Sequence, residues 1–525
     1  MKRVSVSQSI CTIALILYVA LLLCAKSYIK PSAQITPIII SAIKVFFIIF
    51  LIYLFKRFYG SVSGILIGSA ASKKECILWF AVTFMVTLSI LLIYYISFFP
   101  GSFSPDSYNQ LEQVKTGIYN DWHPVMHTLL FFTLPLKLFG WHIEVIVLMQ
   151  IICFSASFGY LTATLRRNKC SRLLCAVEIL FIILSPVTGS IMMFPWKDCA
   201  FVIFAMVVTA QYINSICSKG TWLEKPLNLI CFIVFSVLAV LMRHNAILFV
   251  FPILVVLAVF CRSKKRLVAG MLAGFLGLLL IVKGPVYSMY KVEKPDRRIV
   301  ETTGMCMVIM GGAVTEEPDK LPEHIRDFLY SVSPKEVWEE SYTSGDFNSI
   351  KWVDTRTNVY VIEDLGINTL LKYTFETIKA CPMSSLRAFF NVTSMVWDIS
   401  GDLYWDITDD SANRFDASSR YISEDMQTAC RSVVDNWHRT VRSSIWKNVF
   451  YYVGTLDLLI IVCCLVRVKR WSDMLKAVHA LPMLCYNFGT ALLLTGFDYR
   501  FFYYAYPVFL PFIFLILRRE NKETN

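Results

Sequence analysis

The fold is decided by residues 76–99, which read CILWFAVTFMVTLSILLIYYISFF and run into the polar loop Pro105-Asp106-Ser107-Tyr108. An uncharged apolar run of about 20 residues is long enough to cross a hydrocarbon core as a helix. A helix also satisfies its own backbone hydrogen bonds at that depth. The sequence therefore predicts a transmembrane helix that ends in a polar loop.

The composition of the whole chain supports the same prediction. Of 525 residues, 56% are hydrophobic and only 17% are charged, which is more apolar surface than one water-soluble core can bury. We therefore predict an all-α polytopic membrane protein with about twelve transmembrane helices. Their positions are residues 10–25, 35–55, 76–99, 143–165, 173–194, 199–216, 227–242, 246–261, 267–282, 449–466, 477–494 and 501–517.

The basic residues of the short loops fall on every second loop, as the positive-inside rule requires. They are Lys2, Arg3, Lys56, Arg57, Lys73, Lys74, Arg166, Arg167, Lys169, Arg172, Lys219, Lys225, Arg262, Lys264, Lys265, Arg266, Arg467, Lys469, Arg470, Lys476, Arg518, Arg519 and Lys522. Both termini are therefore predicted to be cytoplasmic, in a multi-pass protein of the plasma (cytoplasmic) membrane. The net charge of +12 is concentrated in these loops, where anionic membrane lipids account for it, so no nucleic-acid partner is predicted.

One further apolar run, residues 125–139, is short and contains Pro135 and Lys137. Counting it as a full crossing would move the later basic loops to the outside. We therefore predict a helix that lies in the membrane interface or dips into it. The alternative is an ordinary thirteenth transmembrane helix.

The alternation of spans divides the chain into three parts. Residues 1–283 form an N-terminal transmembrane module with a first outer loop at 100–142, residues 284–444 a mainly helical extracytoplasmic domain, and residues 445–525 the C-terminal transmembrane helices. Helix caps and apolar spacing predict helices in the outer domain at residues 322–330, from 333 onward, at 370–380 and at 423–442.

Charged residues from four distant stretches are predicted at the outer ends of spans. These stretches contain Asp106, Lys197-Asp198, Arg243-His244 and Asp498-Tyr499-Arg500. Ionisable groups at membrane depth are costly and tend to face a polar cavity, so such a cluster is a candidate functional site. The alternative is that they are interfacial anchors and helix caps.

The residue types indicate what such a cluster does chemically. A carboxylate such as Asp106 takes a proton from an attacking hydroxyl or amine within hydrogen-bond reach, which is general base catalysis. Arginine and lysine bind phosphate oxygens, so Arg243, Arg500 and Lys197 are candidates to hold a lipid phosphate. Three aromatic residues, Tyr108, Trp122 and Trp196, offer flat faces for stacking on a sugar ring, but an interfacial aromatic belt is the interpretation that we favour.

The first outer loop resembles that of the GT-C glycosyltransferases, in particular the protein mannosyltransferase and lipid A aminoarabinose transferase type. The matching elements, in order, are Asp106-Ser107-Tyr108, Gly117, His123-Pro124-Val125-Met126, Leu138-Phe139-Gly140 and Arg166-Arg167. Further on, Phe194-Pro195-Trp196-Lys197-Asp198 is similar to the second outer acidic position of that family. Arg243 falls where the family has a basic residue near the donor phosphate, and residues 498–504 resemble the start of a late span.

The chain departs from the family pattern at two positions. The usual Asp-Glu pair is Asp106-Ser107 here, and the second proline of His-Pro-Pro is Val125. A metal site built on a paired acid is therefore not predicted, and whether a divalent cation assists is left open. His123 and His127 have a spacing that suits metal ligands on one helix face, but a helix cap with a buried polar contact is the commoner arrangement.

The resemblance implies a GT-C-like membrane bundle that moves a sugar from a polyprenyl phosphate donor at the outer leaflet. The acceptor would be a surface glycan, lipid or protein. Asp106 would be the general base of an inverting reaction. Asp198, Lys197, Arg243, His123, Tyr108 and Arg500 would contact the substrates. The alternatives are a transporter or flippase of a lipid-linked or polar substrate, and a polymer ligase or polymerase that uses the same donor.

Overall fold

The computed structural model describes residues 64–295, 299–399, 421–468 and 474–518, together with isolated positions between 42 and 57. The predicted span 10–25 and most of the span 35–55 lie outside the described residues. All regular elements of the described residues are helical, and β-structure is limited to isolated bridges. The prediction of an all-α protein is confirmed.

Between Lys73 and Met289, the structure describes ten helices. They are α1 (Lys73–Ser97), α2 (Pro105–Thr116), α3 (Val125–Leu138, with a π-helical turn at Thr128–Thr133), α4 (Glu144–Arg167), α5 (Arg172–Leu184), α6 (Pro186–Met192), α7 (Lys197–Cys217), α8 (Pro226–Met242), α9 (Ile247–Phe260) and α10 (Lys265–Met289, with a π-helical turn at Val282–Val286).

The remaining helices belong to residues 299–442, which we call the outer part because the sequence predicts them outside the membrane, and to the C-terminal part, residues 447–517. The outer helices are α11 (Ile299–Thr302), α12 (Gly304–Glu316), α13 (Glu323–Val332), α14 (Lys335–Glu340), α15 (Asn348–Lys351), α16 (Tyr360–Leu365), α17 (Ile367–Ala380), α18 (Pro382–Trp397) and α19 (Glu424–Arg442). The C-terminal helices are α20 (Lys447–Phe450), α21 (Val453–Arg467), α22 (Met474–Ala477), α23 (Leu481–Ala491) and α24 (Ala505–Leu517). Single 3₁₀ turns lie at Thr221–Glu224, His244–Ala246, Pro318–Lys320, Val478–Ala480 and Tyr499–Phe502.

Each predicted span from residue 76 onward coincides with at least one helix, but not every helix is long enough to cross a membrane. Among the residues that the structure describes, five helices are long and apolar enough: α1, α4, α7, α10 and the run Tyr499–Leu517. A sixth results if α5 and α6, bent by 59°, form one span. The bend falls at Pro186, which lacks an N–H and disfavours helix in the residue before it. Membrane association is supported, whereas the count of twelve is not established.

The predicted helices of the outer domain are confirmed with small shifts at their ends. α13, α14, α17 and α19 occupy the stretches that caps and apolar spacing indicate. Ser423 caps α19 because its side chain accepts a hydrogen bond from the Met426 N–H. Pro334 and Ser333 precede α14 as expected.

The helix α7 lies at the centre of the bundle, packed against α4 and α8, with 89% of its apolar window buried. α1 and α10 lie at the periphery, where only 17% and 11% are buried. Small residues let the helices approach closely, since a Cβ at Gly159 of α4 would lie 2.9 Å from the Phe80 carbonyl oxygen of α1. The outer helix α18 packs against α21 and α23, so the outer part of the chain is joined directly to the C-terminal helices.

Candidate active site

A cavity of about 500 Å³ lies where the start of α2 and the predicted outer ends of α7, α8 and α10 meet the turn Tyr499–Phe502. Residues of the outer part, including Glu301 and Trp352, line its far side. Four of the sequence-predicted site residues line the cavity: Asp106, His123, Lys197 and Arg500. Ion pairs at the cavity and in its wall connect all four charged stretches.

Local hydrogen bonds bring the loop before α2 onto the turn before α7. The Ser102 N–H donates to the Met193 carbonyl at 2.9 Å, and the Trp196 indole N–H donates to the Ser104 hydroxyl at 2.7 Å. The buried Gln150 side chain of α4 donates to the carbonyls of Met192 and Phe194, which fixes the same turn. Asp106 and Lys197, 91 residues apart in sequence, therefore line one cavity.

Asp106 lies in the first turn of α2, after Ser104 at the N-cap and Pro105 at the first helical position. A carboxylate is favourable there because it faces the unpaired N–H groups of the helix start. Its Oδ2 accepts a hydrogen bond from Arg500 Nη1 at 3.0 Å, and 31% of the side chain is exposed. Burial raises the pKa of Asp106, but the positive charges of Arg500 and Lys197 outweigh burial and lower it to about 2. The carboxylate is therefore ionised.

Arg500 is shared among three carboxylates. Besides Asp106, its Nε donates to Asp498 Oδ2 at 2.7 Å and lies 3.8 Å from Asp198 Oδ2. The Arg500 guanidinium carbon also lies 4.8 Å from the centre of the Trp196 ring, a cation–π distance. Asp498 was part of the predicted charged cluster but not of the predicted substrate contacts, and it lines the cavity.

Asp198 and Arg243 form an ion pair behind the cavity wall. Their side chains are 2% and 7% exposed, and neither residue lines the cavity. Arg243 also donates to the Asn245 side chain and stacks 4.0 Å from the Phe501 ring centre. Direct contact of these two residues with substrate stays a prediction. Their contacts favour a role in positioning Arg500.

We expect Asp198→Asn to lower the free energy of unfolding by about 3–5 kcal/mol, because it leaves the Arg243 charge buried without its partner. Thermal unfolding in detergent or nanodiscs measures the change, and adding Arg243→Gln should recover part of it. The control is Glu339→Gln, which breaks the exposed Lys335–Glu339 pair and should cost about 0–1 kcal/mol. Equal losses in the two single variants would contradict the structural role of the buried pair.

His123 is buried between two charged groups of the cavity. Its Nδ1 lies 3.4 Å from Lys197 Nζ, and its Nε2 lies 4.0 Å from Asp106 Oδ1. Burial, together with the charge of Lys197, lowers the pKa of His123 to about 3. The imidazole is therefore neutral near pH 7. Because the ammonium donates to Nδ1, the ring proton is assigned to Nε2, on the side of Asp106.

The low pKa of His123 predicts a pH-dependent stability. The unfolded chain takes up this proton near the ordinary value of 6.5, and the folded protein does so only near 3. Stability is therefore lost as the pH falls from about 6.5 towards 3, since the unfolded state then binds more protons. His123→Gln should reduce this loss, as measured by thermal unfolding between pH 7 and pH 4. The exposed His324 serves as control, and an equal effect of His324→Gln would contradict the prediction.

The three aromatic residues considered for sugar stacking have different positions. Trp122 lines the cavity, and the ring of Trp196 makes the cation–π contact with Arg500. Tyr108 does not line the cavity, and its ring centre lies 6.2 Å from that of Phe103. The contact of Tyr108 with substrate therefore stays a prediction.

His127 makes buried contacts away from the cavity. Its Nδ1 lies 2.8 Å from Gln110 Nε2, and its ring packs against Phe131 and Phe132. This is the buried polar contact that was considered as the alternative. Within the ranges that the structure describes, no group of three or more His, Cys, Asp or Glu side chains is arranged to hold a metal ion.

Several cavity residues were missed by the sequence analysis. Asp121 accepts from the Tyr287 hydroxyl at 3.4 Å and lies 3.8 Å from Lys283 Nζ. Its position next to Trp122-His123 in a polar loop was a usable signal. Glu301 and Trp352 reach the cavity through the packing of the outer helices, for which the sequence carries no local signal.

No protein-family model matches this chain, and no curated protein or solved structure is significantly similar to it.

Proposed function

We propose that this protein is an integral membrane glycosyltransferase. It moves a sugar from a polyprenyl phosphate donor to a surface glycan, lipid or protein acceptor at the outer leaflet. The observation that carries the proposal is the partly exposed Asp106 carboxylate, which lies 3.0 Å from Arg500 in a cavity at the ends of apolar helices. The motif order that resembles the GT-C family supports the same function.

The donor phosphate is held by the cations of the cavity. Arg500 offers a planar fork of N–H donors that matches phosphate oxygens, and Lys197 adds a second charge. In the described residues Arg500 already binds three carboxylates, so a phosphate competes with them for its donors. Asp198 and Arg243 keep the guanidinium in place during this exchange.

The same exchange activates Asp106. A carboxylate with a pKa of about 2 is a weak base, and an efficient general base has a pKa nearer the working pH. Among the charges that lower the pKa of Asp106, that of Arg500 has the largest effect. When the phosphate binds Arg500, its negative charge and the loss of the Arg500 hydrogen bond both raise the pKa of Asp106. Donor binding thus prepares the base.

The reaction is a single displacement at the anomeric carbon. The acceptor hydroxyl or amine gives its proton to Asp106 while its oxygen or nitrogen attacks the anomeric carbon. The bond from that carbon to the phosphate oxygen breaks on the opposite face, and both electrons leave with polyprenyl phosphate. The configuration is inverted. His123 Nε2–H lies on the side of Asp106, 4.0 Å from its Oδ1.

Purified protein in nanodiscs tests this function directly. Radiolabelled polyprenyl-phosphate sugars are supplied with a mixture of glycan, lipid and peptide acceptors, with Mg²⁺ and separately with EDTA. We expect release of polyprenyl phosphate together with transfer of the label. Movement of the intact lipid-linked sugar across a liposome membrane, without release, would instead support the transporter or flippase alternative.

A further inference from the structure

A second cavity of about 400 Å³ lies beside the candidate active site on the outer part of the chain. Its wall is formed by residues 351, 352 and 354–360. We name this second cavity the acceptor groove. Trp352 lines both the acceptor groove and the first cavity, so the two spaces share one aromatic side chain.

Trp352 is exposed but held in place. It is 56% exposed, and the Lys351 ammonium lies 4.5 Å from the centre of its ring. Lys351 is itself buried and forms an ion pair with Glu301, which lines the first cavity. The Trp352 indole therefore lies between the two cavities, and its cation–π contact with Lys351 restrains the ring.

The polar part of the acceptor groove is built around a planar ion pair. Arg356 donates from Nε and Nη2 to the two carboxylate oxygens of Asp354, at 3.0 and 2.7 Å. The Arg356 side chain is 54% exposed, whereas Asp354 is 14% exposed. The pair carries no net charge, and the threonines 355 and 357 and Asn358 complete a wall rich in hydroxyl and amide groups.

This combination of groups favours a neutral saccharide over other ligands. An aromatic face packs against the C–H face of a sugar ring, and planar carboxylate, guanidinium and amide groups exchange paired hydrogen bonds with hydroxyls. An acyl chain would bury these polar groups without partners, at a cost in free energy. A free phosphate would find in the acceptor groove only Arg356, paired with Asp354, and the buried Lys351, paired with Glu301, whereas the first cavity adds Lys197 to Arg500.

We propose that the acceptor groove binds the saccharide units of a glycan acceptor next to the unit that receives the new sugar. The proposal rests on the proposed function and specifies its acceptor: an oligosaccharide with at least two units. One unit stacks on Trp352 between the two cavities, and the preceding units lie along Asp354, Arg356 and Asn358.

Binding to an array of defined saccharides, from one to six units, tests the proposal without requiring catalysis. The full chain in nanodiscs should bind at least one class of oligosaccharide and prefer it over its monosaccharide. Trp352→Ala and Arg356→Ala should each weaken this binding about tenfold or more. The matched controls are Trp446→Ala, which removes a tryptophan that is 57% exposed and lines neither cavity, and Lys372→Ala. Absence of oligosaccharide binding, or equal binding by all variants, would overturn the proposal.

A kinetic arm separates this inference from the proposed function. Arg356→Ala should raise the KM for an oligosaccharide acceptor about tenfold, without a matching rise in the donor KM. If Arg356→Ala transfers sugar with an unchanged acceptor KM, saccharide binding in the acceptor groove is contradicted but the proposed transferase activity is not. If the protein shows no transfer activity but binds saccharides in a way that depends on Arg356 and Trp352, the acceptor groove is supported and the proposed transferase activity is contradicted.

Discussion

Asp106→Asn should lower sugar transfer by about 10²–10⁴-fold, because it removes the base that takes the acceptor proton. Asparagine preserves the size of the side chain and its position at the start of α2. The donor KM should fall, since the neutral side chain competes less with the donor phosphate for Arg500. Initial rates of label transfer by the purified protein measure the effect.

The matched control is Glu112→Gln, because Glu112 is an exposed carboxylate on the same helix and does not line the cavity. Its rate should equal that of the wild type. Size-exclusion chromatography and thermal unfolding in detergent check that both variants are folded. Transfer by Asp106→Asn at the wild-type rate would remove Asp106 from the mechanism.

Arg500→Gln should lower the rate of transfer by about 10²–10³-fold and raise the donor KM, because it removes the main donor to the departing phosphate. It should also change the pH dependence. With Arg500 present the pKa of Asp106 is about 2, and removing that positive charge raises this pKa. The fall in activity at acidic pH, where the free enzyme's Asp106 becomes protonated, should therefore begin at a higher pH in Arg500→Gln than in the wild type. A profile of kcat/KM against pH measures it.

Arg500→Lys keeps the charge but loses the planar fork of N–H donors. We expect its pH profile to lie closer to that of the wild type than the profile of Arg500→Gln does, and its rate of transfer to stay low. Arg439→Gln is the control, since Arg439 is an exposed arginine of α19 outside the cavity. An unchanged donor KM together with an unchanged pH profile in Arg500→Gln would place the donor phosphate elsewhere.

Local patterns in the sequence were sufficient to predict most helices. The run 76–99 corresponds to α1, and the amphipathic stretches of the outer domain correspond to α13, α14, α17 and α19. Periodic apolar residues and capping residues act within a few turns, so they are readable without knowledge of the tertiary structure.

The lengths of the spans were harder to predict. The predicted span 227–242 agrees with α8, a helix of 17 residues, whereas only 11 residues of the predicted span 477–494 form α23, fewer than the roughly 20 residues of a full crossing. Apolar composition extends beyond the helix ends because turns inside a large bundle are buried as well. Asp457, in the predicted span 449–466, was also overlooked, although it is fully buried and held by Asn487 at 2.8 Å.

The clustering of the charged stretches could be inferred from sidedness alone, because alternating loops place the ends of spans on one surface. Asp106, Asp198 and Arg500 are indeed connected by contacts, 3.0 Å and 3.8 Å for the two pairs with Arg500. Sidedness does not reveal depth, which is why the burial of Asp198 and Arg243 behind the wall was not foreseen. The contributions of Glu301 and Trp352 depend on how the outer helices pack, a long-range property.

The most direct test of the account is a cryo-EM structure of the Asp106→Asn protein with a polyprenyl-phosphate sugar bound. We expect the phosphate to contact Arg500 and Lys197, with the anomeric carbon facing residue 106 and the lipid chain leaving the cavity between helices. A phosphate bound outside this cavity, or a sugar separated from residue 106 by packed side chains, would contradict it.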